Sequence, residues 1–349
     1  MFARQLAVLI VICAFIPDSQ SFSQGILELD KGPQGLPGRP PIFGSEAPSL
    51  TVLGERLFFD PRLSKSGRTS CATCHNPAYA FAEPRPTSIF DGGRIGPRNA
   101  PSILTSAFYP TLMWDGRFAS LEQQISGPLS AGGEMGNDIN EAAERLSSDP
   151  LYWQLFLEVF NEPPTPRGIA RALAAFERSL VTGWSRFDRF WLKVDPYALT
   201  DFERFGFDLF TGKAGCVACH RLPRSDAEGY ALFTDFRYHN IGVGFYRGRF
   251  VDRGLGAITR RPQDLGAFRT PSLRNVAVTA PYMHDGSLPS LREVIEFYNA
   301  GGVPNPFQAR VLRPLGLEED EKRALVAFLN TLTTEDFRAQ PGSAALGPH

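Results

Sequence analysis

Apolar residues recur at helical spacing in separate segments of the chain, with long irregular stretches between them. The clearest period is formed by Ile169, Leu173, Phe176 and Leu180, which fall on one face of a helix. Strand patterns are weak throughout. The pattern therefore predicts a mainly α-helical protein with long irregular loops. The predicted helical segments are residues 166–180, 200–209 and 318–332, and residues 53–59 form a similar apolar stretch.

The N-terminal apolar run is of a different kind. Residues 6–16 are apolar without interruption, Arg4 precedes them, and Ser19, Ser21 and Ser23 follow. This arrangement is typical of a secretory signal peptide, and the run is too short to span a bilayer as a helix. We expect cleavage after Ser23 and a periplasmic mature protein that has no membrane partner.

The composition is that of a soluble globular protein of about two domains. The 349 residues are 43% hydrophobic and 21% charged, and 36 Lys and Arg nearly balance 37 Asp and Glu. A near-neutral balance without a basic cluster argues against nucleic acid as a partner. The 28 Phe, 33 Gly and 29 Pro residues indicate aromatic-lined interiors joined by irregular loops.

Four of the five cysteines lie in two C-x-x-C-H motifs. Two disulfides would explain the cysteines of an exported protein, but not the histidine that follows each pair. Zinc would need its ligands at one ion, and the motifs lie far apart in the sequence. C-x-x-C-H is the attachment signature of c-type haem, in which both cysteines form thioethers and the histidine binds iron. The predicted ligands of two covalent haem c groups are Cys71, Cys74 and His75, and Cys216, Cys219 and His220.

An internal repeat relates the two halves of the chain. Residues 99–125 align without gaps with residues 269–295, and nine of the 27 positions are identical. The haem motifs are more closely spaced than this repeat, so the second copy carries an insertion within residues 221–266. We expect two cytochrome-c-like haem domains related by internal duplication. The expected boundaries are residues 1–23 for the signal peptide, 24–195 and 196–337 for the two domains, and 338–349 for a tail.

The same repeat reveals one chemical difference between the copies. Leu291, Ile295 and Tyr298 lie on one helical face, so Tyr298 points inward. Its counterpart in the first copy is Pro128, which has no group that binds iron. If this position faces the distal side of each haem, the second iron has two protein ligands and the first keeps an open position.

Two alternatives to Tyr298 as a ligand remain. It could be a core tyrosine whose hydroxyl only finds a hydrogen-bond partner. Met283 is a rival ligand of the second haem, but Met113 occupies the same position of the repeat. Ligation by Met283 would therefore not explain why the two sites should differ.

Short motifs outside the haem motifs are shared with one known family. They are LFFDPRL at residues 57–63, GPRN at 96–99, WDGR at 114–117, GEM at 133–135, RTPSLRN at 269–275 and APYMHDG at 280–286. Over nearly the whole mature chain, the sequence resembles the bacterial dihaem cytochrome c peroxidase/MauG superfamily. The resemblance implies a haem-dependent oxidoreductase of the peroxidase class, with peroxide as acceptor.

Two positions favour the MauG-like subgroup, which includes MbnH-type proteins. Peroxidases of the family carry a methionine where this chain has Tyr298, whereas MauG-type enzymes carry a tyrosine. Many of the peroxidases also have a histidine near the position of Asp91, which blocks the first haem until reduction. No histidine occurs here between His75 and His220.

The resemblance also implies roles for side chains around the first haem. Glu134 matches the acid/base that moves protons during O–O cleavage, and Gln124 and Pro128 match the distal pocket. Trp114 matches a tryptophan that relays electrons between the haems. The simpler alternatives are that Glu134 is a surface acid in a glycine-rich loop and that Trp114 packs a domain interface.

Two further correspondences concern the region between the haems and the exit of electrons. Asn99, Thr279 and Pro281 match a calcium site between the haems, where side-chain and carbonyl oxygens suit a hard cation. MauG has a tryptophan two residues before its second haem motif, and this chain has Ala214 there. The resemblance therefore leaves the route of electrons to the substrate open.

Three functions are consistent with these patterns. The first is a MauG-like oxidase, in which hydrogen peroxide generates a high-valent dihaem state that oxidises a tryptophan or tyrosine of a periplasmic partner protein. The second is a peroxide-reducing cytochrome c peroxidase fed by a small electron-transfer protein. The third is a non-catalytic dihaem cytochrome, which would need two six-coordinate irons. The contrast between Tyr298 and Pro128 favours the first.

Overall fold

The computed structural model describes residues 47–130, 134–222 and 231–335. The regular structure of this part is mainly α-helical, as the sequence predicts. The predicted signal peptide and C-terminal tail lie outside the described residues. Within the described residues, no helix has the length and apolar character that a membrane span requires.

Along the chain, the short strands lie between the seventh and the last two helices. Two antiparallel pairs form there, β1 with β4 and β2 with β3. The strands are β1 (Tyr238–Asn240), β2 (Phe245–Tyr246), β3 (Arg249–Phe250) and β4 (Ala267–Arg269). The helices are α1 (Pro48–Phe59), α2 (Leu121–Ser130), α3 (Ile139–Ser147), α4 (Pro150–Phe160), α5 (Pro166–Ser179), α6 (Arg186–Trp191), α7 (Asp201–Thr211), α8 (Leu255–Thr259), α9 (Leu291–Asn299) and α10 (Glu319–Asn330).

The predicted helical segments correspond to α1, α5, α7 and α10. At the start of α7, the Thr200 hydroxyl accepts from the Glu203 amide at 3.3 Å, and the Glu203 carboxylate accepts from the Thr200 amide at 2.8 Å. These two bonds satisfy amide groups that a helix leaves unpaired at its N-terminus. At α9 only half of this arrangement forms, because the Glu293 carboxylate accepts from the Ser290 hydroxyl rather than from its amide.

Each half of the chain has a buried apolar core built on one close helix crossing. In the first, α1 crosses α5 at Gly54, where an added Cβ would lie 1.8 Å from the Ala172 carbonyl oxygen. In the second, α7 crosses α10 at Gly206, where an added Cβ would lie 2.0 Å from the Ala324 carbonyl oxygen. Only glycine permits this approach, so each crossing fixes the helix that leads to a haem motif.

The aligned repeat segments adopt matching local conformations. Leu112 pairs with Phe118 in the first segment, and Tyr282 pairs with Leu288 in the second. The methionines inside these two loops, Met113 and Met283, have φ values of 68° and 74°. A left-handed backbone is uncommon for a residue with a side chain, so the shared conformation is specific.

Gly54→Ala tests the first helix crossing. Alanine favours a helix over glycine by about 1 kcal/mol, but its methyl group would overlap the Ala172 carbonyl. Overpacking of this kind typically costs about 1–3 kcal/mol, and the overlap is severe, so we expect a net loss of unfolding free energy in urea denaturation of the holoprotein. The control is Val52→Ala, since Val52 is 59% exposed on the same helix. Unchanged stability in Gly54→Ala would contradict the close crossing.

Candidate haem sites

Each C-x-x-C-H motif forms a tight turn that brings its histidine back over the first cysteine. The His75 amide donates to the Cys71 carbonyl at 2.9 Å, and the His220 amide donates to the Cys216 carbonyl at 2.8 Å. All four motif cysteines are free thiols. Burial raises the pKa of Cys71 and of Cys216 to about 12. The motifs therefore present paired neutral thiols beside a histidine, not disulfides.

Both motif histidines are held by the same kind of hydrogen bond. Nδ1 of His75 donates to the Phe81 carbonyl at 3.2 Å, and Nδ1 of His220 donates to the Phe233 carbonyl at 2.8 Å. Burial lowers the pKa of both imidazoles, so both rings are neutral. With the proton on Nδ1, the lone pair lies on Nε2, which is the arrangement of a metal-ligating histidine with an oriented ring.

The carbonyl acceptors were not anticipated from the sequence. Phe81 and Phe233 have φ values of 57° and 52°, an unusual left-handed backbone for an aromatic residue. This conformation turns each carbonyl toward its histidine. A glycine or asparagine would have signalled such a turn, and phenylalanine gives no such signal.

Tyr298 lies in a cavity together with the second haem motif. We call this the second-motif cavity; its wall includes Cys216, Cys219, His220 and Tyr298. Burial raises the pKa of Tyr298, and the neighbouring Cys219 and Cys216 raise it further. No described residue makes a hydrogen bond with its hydroxyl, and the residue as a whole is half-buried.

Met283 and Tyr282 line the same cavity. The Tyr282 hydroxyl donates to the Val276 carbonyl at 2.9 Å. Tyr282 is therefore satisfied by the protein, whereas Tyr298 is not. Both candidate ligands that the sequence left open, Tyr298 and Met283, are thus present at the second motif.

Trp114 connects the two halves. Its indole Nε1 donates to the Asn99 carbonyl at 2.8 Å, and its own carbonyl accepts from the Arg269 amide at 2.9 Å. The side chain also lines the second-motif cavity. A tryptophan of the first half therefore reaches the second haem site.

The three predicted calcium ligands lie around the second-motif cavity. The Asn99 amide nitrogen donates to the Glu83 and Arg85 carbonyls at 3.1 and 2.8 Å. The Asn99 side-chain oxygen is then left as an acceptor. Thr279 and Pro281 belong to the same wall, and the Thr279 hydroxyl donates to the Val276 carbonyl at 3.2 Å.

The predicted distal residues of the first site lie on α2 and just after it. Met135 donates its amide to the Pro128 carbonyl at 3.1 Å, which places Glu134 beside the last turn of this helix. Burial raises the pKa of Glu134, and the nearby Arg117 and Arg98 oppose the rise. The Gln124 amide lies 3.6 Å from the Met113 sulfur. Residues 131–133 lie outside the description.

A second acidic side chain near the first motif was missed by the sequence analysis. Glu177 is buried on α5, burial raises its pKa to about 8, and its charge acts on the Cys71 thiol. Glu177 lies four residues after Leu173, on the apolar face of the helix. A carboxyl group at an apolar position was the signal that could have found it.

Comparison with known proteins identifies the family. A family model described as di-haem cytochrome c peroxidase matches residues 48–195. The methylamine utilization protein MauG of Methylorubrum extorquens is 41% identical over 294 residues, covering 82% of this chain and 79% of its own. This chain belongs to the di-haem cytochrome c peroxidase family. It is accordingly a haem-dependent oxidoreductase of the peroxidase class, and the family implies haem c as its cofactor.

Both branches of the family are represented among the similar proteins. Cytochrome-c peroxidase IdrP1 of Denitromonas iodatirespirans is 38% identical over 314 residues, covering 81% of each chain. The crystal structure of a MauG-like protein associated with microbial copper homeostasis superimposes with a TM-score of 0.78. It is 36% identical and covers 88% of this chain and 96% of its own. The choice between the branches therefore rests on the site residues.

The paired thiols predict two covalent haem groups per chain. Intact-mass measurement of the purified protein should show two haem additions, and the double variant Cys216→Ser/Cys219→Ser should show one. The mirror variant Cys71→Ser/Cys74→Ser is the matched control and should also retain one. A wild-type mass without haem, lowered by the hydrogens lost in two disulfides, would contradict the assignment.

Proposed function

We propose that this protein is a MauG-like dihaem oxidase that uses hydrogen peroxide to oxidise a tryptophan or tyrosine of a partner protein in the periplasm. The observation that carries the proposal is the contrast between Tyr298 and Pro128. At the second motif a half-buried phenol without a hydrogen bond to any described residue lines the cavity. At the corresponding position of the first copy stands a proline, which leaves that iron without a second protein ligand.

The two halves form the proposed haem domains. Cys71, Cys74 and His75 hold one haem, and Cys216, Cys219 and His220 hold the other. We infer that the halves arose by duplication, which is supported by the repeat identities and by the matching glycine crossings of α1 with α5 and α7 with α10. When bound, the haem irons supply sites at which peroxide is reduced and electrons are stored.

Glu134 is the proposed proton carrier at the first haem. Cleavage of peroxide requires a group that takes a proton from one oxygen and returns it to the other. A carboxyl group whose pKa is raised by burial holds and releases a proton closer to neutral pH than an exposed glutamate does. Gln124 can hold peroxide through its amide but has no proton to exchange.

Trp114 and the three oxygen ligands join the halves in this proposal. Trp114 is hydrogen-bonded to Asn99, which is itself one of the proposed Ca²⁺ ligands with Thr279 and Pro281. A cation bound there would fix the backbone that carries the indole. Ala214, buried in the wall of the second-motif cavity, offers no oxidisable side chain for passing electrons onward.

A peroxide-reducing cytochrome c peroxidase is the second candidate. Met283 lines the same cavity as Tyr298, and methionine is the ligand that resemblance associates with the peroxidases. A small electron-transfer protein would then be the partner. Tyr298 favours the oxidase, since a methionine ligand would leave its hydroxyl without a partner among the described residues.

Electron paramagnetic resonance of the ferric protein tests the asymmetry of the two sites. We expect one high-spin haem and one low-spin haem with His/Tyr ligation, because Tyr298 offers the second iron an oxygen ligand and Pro128 offers the first iron none. Tyr298→Phe should change the low-spin signal alone. Tyr282→Phe is the matched control, since it removes the other phenol of the cavity. Two identical low-spin signals, or a low-spin signal altered only by Met283→Leu, would contradict ligation by Tyr298.

Stopped-flow mixing of the diferric protein with peroxide tests the first site. The wild-type protein should react without prior reduction, because no histidine occupies the position near Asp91. Glu134→Gln should keep both haems and slow the reaction by at least about tenfold, since acid–base help is typically worth about 10²–10⁴ in rate. The reaction should also slow as the pH falls through the raised pKa of Glu134, which must start deprotonated.

The control for this experiment is the same substitution at Glu177, the buried glutamate of α5 whose charge acts on Cys71. Glu177→Gln should leave the rate close to that of the wild type. An unchanged rate in a fully loaded Glu134→Gln protein would remove Glu134 from the mechanism. A wild-type protein that reacts only after reduction would favour the peroxidase.

A further inference from the structure

Arg269 is a buried cation whose position is fixed by the first half of the chain. It ends β4 and is 8% exposed. Its amide donates to the Trp114 carbonyl at 2.9 Å, and its Nε donates to the Met113 carbonyl at 3.3 Å. The guanidinium lies over the Tyr109 ring, 3.8 Å from the ring centre. These contacts set the orientation of the guanidinium.

One end of this guanidinium has no partner. Nη1 of Arg269 is buried and, within the described residues, makes no hydrogen bond. The side chain lines the second-motif cavity. The protein groups whose charge acts on it are Tyr109 and Tyr238, and no carboxylate is among them. A buried donor of this kind is costly unless something else satisfies it.

Two other arginines of the described chain are paired with carboxylates, and Arg269 is not. Arg274 is also buried, and its Nη2 donates to Asp188 at 2.6 Å. Arg98, also largely buried, binds Asp252 and Asp115. The fold thus pairs these guanidinium groups with carboxylates of its own, and Arg269 has none. An anionic ligand in the second-motif cavity would supply the missing counter-charge.

We propose that Arg269 binds a carboxylate of the haem attached at Cys216 and Cys219. Every haem c carries two propionate carboxylates, and a guanidinium binds a carboxylate through strong charge-assisted hydrogen bonds. The inference rests on haem attachment at the second motif, and it holds for either candidate function. It makes Arg269 a positioning residue that ties the Trp114 loop of the first half to the haem of the second.

This contact has an electrostatic consequence. A cation beside the propionate stabilises the reduced haem, which carries one positive charge less on its iron than the oxidised haem. Loss of the cation should therefore lower the reduction potential of the second haem. The first haem, attached at Cys71 and Cys74, should keep its potential.

Spectroelectrochemical titration of the holoprotein, following each haem separately, tests the proposal. For Arg269→Gln we expect at least a tenfold fall in the equilibrium constant for reducing the second haem, about 59 mV for one electron. Arg269→Lys keeps the charge and should restore most of the loss. Arg237→Gln is the matched control, because it removes one charge from an exposed side chain beside β1.

Several results of these measurements would overturn the proposed contact between Arg269 and the haem carboxylate. An unchanged second-haem potential in Arg269→Gln, or an equal fall in Arg237→Gln, would overturn the proposal. A shift of the first haem alone would assign the carboxylate to the other haem and would also overturn it. If Arg269→Gln gives no holoprotein, a crystal structure of the wild-type holoprotein decides: Nη1 within hydrogen-bond distance of a second-haem propionate supports the proposal, and Nη1 bound only to water contradicts it.

Discussion

The hydrogen bond from each motif histidine to a phenylalanine carbonyl is the contact on which the rest of the site depends. It fixes the proton on Nδ1, leaves the lone pair on Nε2 and orients the ring. Burial alone would keep the imidazole neutral but would not fix the orientation of its ring. The left-handed backbone of Phe81 and Phe233 places the carbonyl that fixes this orientation, and the surrounding cores hold that uncommon conformation in place.

Two similar helix crossings support the sites for which different chemistry is proposed. Close crossings at Gly54 and Gly206 bring each haem-motif turn to its core in the same way. The difference arises from one position of the repeat, where Tyr298 offers an oxygen and Pro128 does not. One difference between aligned positions of the repeat thus carries the proposal that one iron meets peroxide and the other stores electrons.

Several features could be predicted from the sequence because they depend on local signals. The helices α5, α7 and α10 follow from their apolar period and caps, and the inward direction of Tyr298 follows from its place after Leu291 and Ile295. Helix α2 was not predicted as a helix, since Pro128 lies inside it. The Phe81 and Phe233 carbonyls and the counter-charge missing at Arg269 depend on contacts between distant segments, which the pattern of one segment does not encode.

The two halves also differ in the number of residues between the motif histidine and its carbonyl acceptor. Phe81 follows its histidine by six residues, and Phe233 follows its own by thirteen. Part of the predicted insertion within residues 221–266 therefore precedes Phe233. The remainder lies in the segment that contains β2, β3 and α8.

Resonance Raman spectroscopy of the ferric holoprotein tests the central claim most directly, because it detects a phenolate bound to iron. The account predicts tyrosinate ring modes in the native protein that disappear in Tyr298→Phe and persist in Tyr282→Phe. A native spectrum without tyrosinate modes, together with the near-infrared absorption of a histidine–methionine haem, would contradict ligation by Tyr298 and with it the proposed asymmetry.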